Sequence, residues 1–266
     1  MASDVPPGNR EEALTGHEVV CTNRHGGSLI HRNWRKLEEY DFCDALTREQ
    51  WAWEFLRRNP EYQRQWRAFH ETWQALEAAY GRPPNRDFCA WKNDPRAWVP
   101  ASECEGGDCR IDGDKVLIEC ALGARWGFHK FPPDPEDDDP VGEGRLSWRP
   151  LDEEPLPEVE GGWRPGPERM ALVFDLSLPL KPQLEQARKQ LQMEMGVRRR
   201  RGELVPKRMA TLREHWKLLL RLIDAEAAGE GEKFRVAGAE PPPDSLWREA
   251  REMMEREYLK ILRVPP

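Results

Sequence analysis

Between Asn59-Pro60 and Gly81, six apolar side chains recur at spacings of 4, 3, 4, 3 and 4: Tyr62, Trp66, Phe69, Trp73, Leu76 and Tyr80. That period places all six on one stripe of an α-helix. Asn59 is a good N-cap, Pro60 suits the first turn, and Gly81 ends the run. Just upstream, Thr47 and Gln50 have capping-box spacing, and Trp51/Phe55 and Ala52/Leu56 repeat at i,i+4 until Asn59-Pro60 stops them. Two amphipathic helices arranged like a hairpin are expected. The aromatic stripe could be a stacking platform for bases, but such regular spacing is what a core-facing helix produces, and core is the reading taken.

The 266 residues are 38% hydrophobic and 33% charged, with 24 prolines and 20 glycines. Against roughly 45–50% apolar in ordinary globular chains, this one must build modest cores, with 12 tryptophans supplying much of the burial. A net charge of −7 excludes a bulk histone-like coat for nucleic acid. No window approaches 18 consecutive apolar residues, and MASDVPPGNREEALTG lacks the basic and apolar regions of a leader. A cytoplasmic chain with no membrane partner is expected.

The expected class is α+β: an N-terminal helical module, a small central antiparallel sheet and a C-terminal helical domain of variant helix-turn-helix type. The units are a flexible arm (1–28), the helical module with sheet (29–180) and the C-terminal domain (181–266). Strand character is read at Lys115 to Leu122, Arg125 to Phe131, Arg145 to Trp148 and Met170 to Leu176. Within 134–160, eleven acids against Arg145 and Arg149 leave a net −9, read as mostly solvated loop. Helices are expected from Pro182 to Gly196, from Thr211 to Ala228 with a possible short one at Glu232 to Ala237, and from the cap Asp244 onward.

The six cysteines, at 21, 43, 89, 104, 109 and 120, are expected as reduced thiols, metal ligands or packing atoms. Cys104 and Cys109, with Cys89 and Cys120, could supply four thiolates to one zinc. Only one close pair exists where a knuckle needs two, so neither metal nor other cofactor is expected. The chain has no G-x-S-x-G, Walker loop, H-E-x-x-H or G-x-G-x-x-G, and its six histidines form no nucleophile spacing. A non-enzyme is the reading.

Charge reverses over 181–212, where nine bases against Glu185, Glu194 and Glu203 give a net +6. Arg198, Arg199, Arg200 and Arg201, with Lys207 and Arg208, form a guanidinium-rich cluster able to hold phosphates. The same run also suits a solvated turn, or an internal partner for the acidic insertion.

Trp34-Arg35 with Tyr40, and the run WAWEFLRRNPEY from Trp51 to Tyr62, resemble the N-terminal transcriptional regulator-like domain of proteobacterial proteins, many carried on integrative and conjugative elements. Arg125 to Phe128, Ser147 to Pro150 and Phe174 to Leu184 are similar to the middle of such proteins. Trp216 to Gly229 with Arg251 to Leu262 looks like the variant helix-turn-helix domain often fused behind it. The resemblance implies a cytoplasmic, non-enzymatic regulator whose C-terminal domain binds DNA or has turned to binding another regulator. A helix-turn-helix needs a turn of about 3–4 residues, whereas here Pro241, Pro242 and Pro243 make the connection long and stiff. The resulting expectation is a DNA-binding transcriptional regulator of a mobile element, contacting DNA through Arg198 to Arg201, Lys207, Arg208, Arg248 and Arg251. The alternative is a non-catalytic interaction module, an antiactivator or a subunit of a larger nucleoprotein or defence complex.

Overall fold

The computed structural model describes residues 30–104, 109, 111–129, 131–138, 140, 147–150, 166, 168–205, 208–235 and 240–265. The arm 1–28, most of the acidic insertion beyond residue 140, and Lys207 lie outside these.

Three turns of 3-10 helix, Leu37–Ala45, bury Tyr40 and Cys43 and lead into α1, Arg48–Leu56. The expected capping box is formed: Gln50 N–H donates to Thr47 Oγ1 at 3.3 Å and Thr47 N–H to Gln50 Oε1 at 2.9 Å. Residues 51–59 are all buried, so Glu54, Arg57 and Arg58 must find partners inside the protein. Asn59 caps α2, Pro60–Tyr80, by accepting from the backbone of Glu61 and Tyr62. The helices do not form the expected hairpin pair. α1 packs chiefly against the C-terminal helices, whereas α2 packs against α3 (Phe88–Asn93) and α4 (Ile118–Arg125).

The sheet is smaller than expected, with two strands among the described residues, β1 (Trp98–Pro100) and β2 (Lys115–Leu117), antiparallel with Trp98 opposite Leu117. β1 falls outside the four stretches read as strand. Conversely, Ile118 to Leu122, read as strand, opens α4, because a single apolar run carries no periodicity that separates strand from buried helix. Among the described residues the Arg125 to Phe131 strand is reduced to an isolated bridge, Phe128 to Trp148, and 170–175 forms no ladder.

The acidic insertion departs most from its expected state, since its first residues are clasped rather than solvated. Trp66 Nε1 donates to the Pro132 carbonyl at 3.2 Å, Tyr62 Oη to Pro133 at 2.5 Å, Arg57 Nε to Pro135 at 2.9 Å and Trp53 Nε1 to Asp137 at 3.0 Å. Prolines bring carbonyl acceptors without N–H groups to satisfy, so a proline-rich strap can be buried against a row of aromatic donors. The aromatic stripe of α2 is thereby core, with Tyr62 and Leu76 fully buried. Over 132–138 the clamp is Arg57 and these donors; the rest of the insertion, for which Arg198 to Arg201 are the expected partner, lies almost wholly outside the described residues.

α5 spans Leu180–Arg200 and runs through Gly196, where its end was expected, so Arg198 to Arg200 are its last turn. α6 is Met209–Ala227. A short 3-10 turn at Gly231–Lys233 stands where a helix to Ala237 was expected; 236–239 lie outside the described residues. α7 (Asp244–Glu252), a π-turn at Met253–Glu257 and α8 (Tyr258–Ile261) make one rod. One aromatic-rich core takes in Trp34, Trp51, Trp53, Phe55 and Tyr62 together with Trp216, Leu219, Ile223, Tyr258 and Ile261, so the units expected as 29–180 and 181–266 share it. A second, smaller cluster surrounds Leu76, Trp91 and Ala97.

Cys104 and Cys109 form a disulfide, which corrects the expectation of reduced thiols. Their Cα atoms are 6.6 Å apart, within bridging reach. Among the described residues no three His, Cys, Asp or Glu side chains gather as a metal would need, and no helix is long and apolar enough to cross a membrane.

Candidate nucleic-acid interface

The residues expected to contact DNA fall on three separate pieces of backbone. Arg198 to Arg201 close α5, where cations also suit the negative end of the helix dipole. Arg198 is held by Glu194 at 2.8 Å and donates to the Arg169 carbonyl. Arg199 touches the Met195 sulfur, Arg201 lies 3.9 Å from Glu203, and Arg200 has no ion pair among the described residues. Arg199, Arg200 and Arg201 are all exposed. Arg208, also exposed, precedes α6, its backbone bonded to Thr211.

Arg248 and Arg251 project from α7 into a cavity of about 490 Å³, walled also by Trp247, Pro241 and Pro242. Arg251 is bound to Glu226 of α6 at 2.7 Å, and Arg248 lies beside it with no ion pair among the described residues. The cavity adds Arg235, which the sequence reading missed: it sits in a short loop with no periodicity to reveal which way it points. Glu226, Glu232 and Asp244 balance these bases, so this wall is not strongly cationic. α6 and α7 pack together but are separated by 228–243, far more than a turn of about 3–4 residues.

These C-terminal helices are locked to the N-terminal module by a buried charge cluster. Asp224 of α6 accepts from Arg58 Nε at 2.9 Å, from Tyr40 Oη at 2.6 Å and from the Arg32 backbone, and His31 Nδ1 lies 2.8 Å away. Arg58 also binds Glu54, which in turn binds Arg57. Burial alone would raise the Asp224 carboxyl, but the Arg58 charge and the surrounding donors outweigh it and hold the group at about 2. Desolvation likewise pushes the Tyr40 phenol upward, with the Asp224 charge adding to it.

Most of this lock comes from one stretch of chain. Residues 33–88 match the model of the proteobacterial transcriptional regulator-like domain. No curated protein and no solved structure matches the chain. The regulator-like segment contains the 3-10 turns, α1 and α2, and so supplies Tyr40, Glu54, Arg57 and Arg58 to the cluster and four donors to the proline strap. That match suggests a regulatory role. All eight expected contact residues lie C-terminal to the matched segment.

Proposed function

We propose that the chain is a non-catalytic, DNA-binding transcriptional regulator, with the arginine run closing α5 as its phosphate contact. The single observation behind this is that Arg199, Arg200 and Arg201 are exposed on one helix end with no carboxylate within 3 Å among the described residues. A phosphate can displace a partner at 3.9 Å far more easily than a bidentate one. The regulator-like segment supports the regulatory part of the reading, and the resemblance noted in the sequence adds a mobile-element setting. α6 and α7 are the variant helix-turn-helix candidates, with Arg248 and Arg251 as base-reading residues.

Salt titration of duplex binding tests the reading. Each guanidinium on a phosphate contributes about 0.9 to the slope of log affinity against log salt. Replacing Arg198 to Arg201 by alanine should weaken binding on every sequence and flatten the slope by up to about 3.6. Changing Arg248 or Arg251 should instead relax preference for the cognate site by about 1–3 kcal/mol. Wild-type protein with no salt-dependent binding at about 0.1 M salt would refute DNA contact and favour the interaction-module reading.

A further inference from the structure

The Cys104–Cys109 disulfide adds little as a staple. The two residues are five positions apart, so the bridge removes less freedom from the unfolded chain than a long-range tie would. The connection it sits in is already closed by the β1–β2 ladder and by the Ala101 N–H, which donates to the Asp114 carbonyl at 2.7 Å. Its surroundings are instead those of a reactive sulfur. Both cysteines are half-buried, within reach of solutes, whereas Cys43 is fully buried and desolvation pushes its thiol up to about 12. Arg149 Nη2 lies 3.6 Å from the Cys109 sulfur, and the Cys120 carbonyl oxygen of α4 lies 3.7 Å from it. When the bridge is open, the carbonyl favours the protonated thiol and the guanidinium favours the thiolate. A full charge outweighs a dipole at nearly equal distance.

That arginine is held in place by the core. Its backbone N–H donates to the Gly127 carbonyl at 2.8 Å. The neighbouring Trp148 ring stacks on Phe128 at 4.4 Å and donates from Nε1 to the Glu49 carbonyl at 3.3 Å. A cation fixed in this way makes Cys109 a ready nucleophile when reduced and a good leaving group when oxidised. We propose that Cys104 and Cys109 are a reversible redox pair, in which Cys109 is the hydroperoxide-reactive thiolate, Cys104 the resolving thiol and Arg149 the positioning residue that stabilises the Cys109 thiolate.

In the oxidising direction the Cys109 thiolate attacks one oxygen of the peroxide. An S–O bond forms, the O–O bond breaks, and hydroxide leaves and takes a proton from water. Cys104 then gives up its proton and attacks the Cys109 sulfur, so that the S–S bond forms, the S–O bond breaks and the leaving hydroxide becomes water. The two thiols lose two electrons and the peroxide gains them. In the reducing direction a small dithiol attacks the Cys104 sulfur, and Cys109 leaves as a thiolate beside Arg149. The second thiol of the reductant displaces Cys104, and the reductant ends as a disulfide. Both closures are intramolecular, because the thiols belong to one short stretch of chain.

The full chain, reduced with dithiothreitol and then freed of it, should regain the Cys104–Cys109 bridge on addition of stoichiometric hydrogen peroxide, read by peptide mass after alkylation of the remaining thiols. Cys104→Ser should trap a sulfenic acid on Cys109 that dimedone labels, while Cys109→Ser should leave Cys104 largely unlabelled. Arg149→Gln should slow bridge formation about three- to tenfold at pH 7 and move the alkaline rise of the rate to higher pH, and Arg149→Lys should restore most of the rate. A merely structural arginine would move neither the pH profile nor the rescue. The trapping pair leaves Arg149 in place, so it decides the assignment of Cys109 even where Arg149→Gln fails to fold. A bridge that dithiothreitol does not open in the folded protein, equal dimedone labelling of both cysteines, or an Arg149→Gln rate and pH profile equal to wild type would overturn the proposal.

Discussion

Arg58 on α1 and Asp224 on α6, 166 residues apart in the chain, meet with Nε and Oδ1 2.9 Å apart and neither side chain exposed. This pair joins the regulator-like segment to α6, which packs against α7, the helix that carries Arg248 and Arg251. Removing Asp224 leaves two buried guanidinium groups, Arg57 and Arg58, sharing the one buried carboxylate Glu54. Asp224→Asn should therefore destabilise the protein by about 3–5 kcal/mol in urea unfolding. The Arg58→Met/Asp224→Leu double variant should recover much of that loss, and a double variant as unstable as the single one would contradict this account.

Asp224 also sets an acid limit. Its carboxyl titrates at about 2 in the folded protein against 3.8 unperturbed. A depressed carboxylate stabilises fully above its unfolded value and loses that contribution as pH falls through its folded one. Between about pH 4 and pH 2 the wild type should thus lose about 2 kcal/mol from this group. Chemical denaturation at stepped pH should show a shallower decline for Asp224→Asn over that interval, and identical slopes would exclude Asp224 as the source.

The proline strap should behave as core. Tyr62→Phe deletes the donor to the Pro133 carbonyl inside the protein and should cost about 1–3 kcal/mol. Limited proteolysis should spare 132–138 until global unfolding, because four side-chain donors hold it. Cutting there in native buffer at a rate unrelated to stability would show the clasp to be open.

Trp216 lies at 5.2 Å from Trp51, the α6 to α1 contact at the centre of the main core. Trp216→Ala should cost about 3–5 kcal/mol in the midpoint and slope of urea unfolding, whereas a loss near zero would mean that the core collapses to fill the space.

Arg251→Ala provides the contrast. Its pair with Glu226 is about half exposed on both sides, so the expected stability loss is under about 1 kcal/mol. Calorimetry showing several kcal/mol would make Arg251 structural, and any change in DNA preference would then follow from misfolding.

Local chemistry wrote α1, α2, α6 and α7 into the sequence, because caps such as Thr47 and Asn59 and a 3.6-residue apolar period act over a few residues, although Asp244, expected as the cap of α7, is its first residue and Pro243 precedes it without a side-chain cap. The same locality made the arginine run legible as a charged cluster, but not its place on α5, since Gly196 inside a helix costs only about 1 kcal/mol and its neighbours outvote it. Tertiary structure alone decided the rest. Asp134 to Asp138 read as solvated because charge and proline content are all a sequence displays, while the donors that clasp this strap, from Trp53 to Trp66, lie 66 to 84 residues from their acceptors in the chain. Glu54, Arg57 and Arg58 likewise read as an ordinary charged helix face. Only the arrival of Asp224 and Asp138 makes their burial affordable in free energy, because a charge leaves water only when a partner from elsewhere in the chain replaces it.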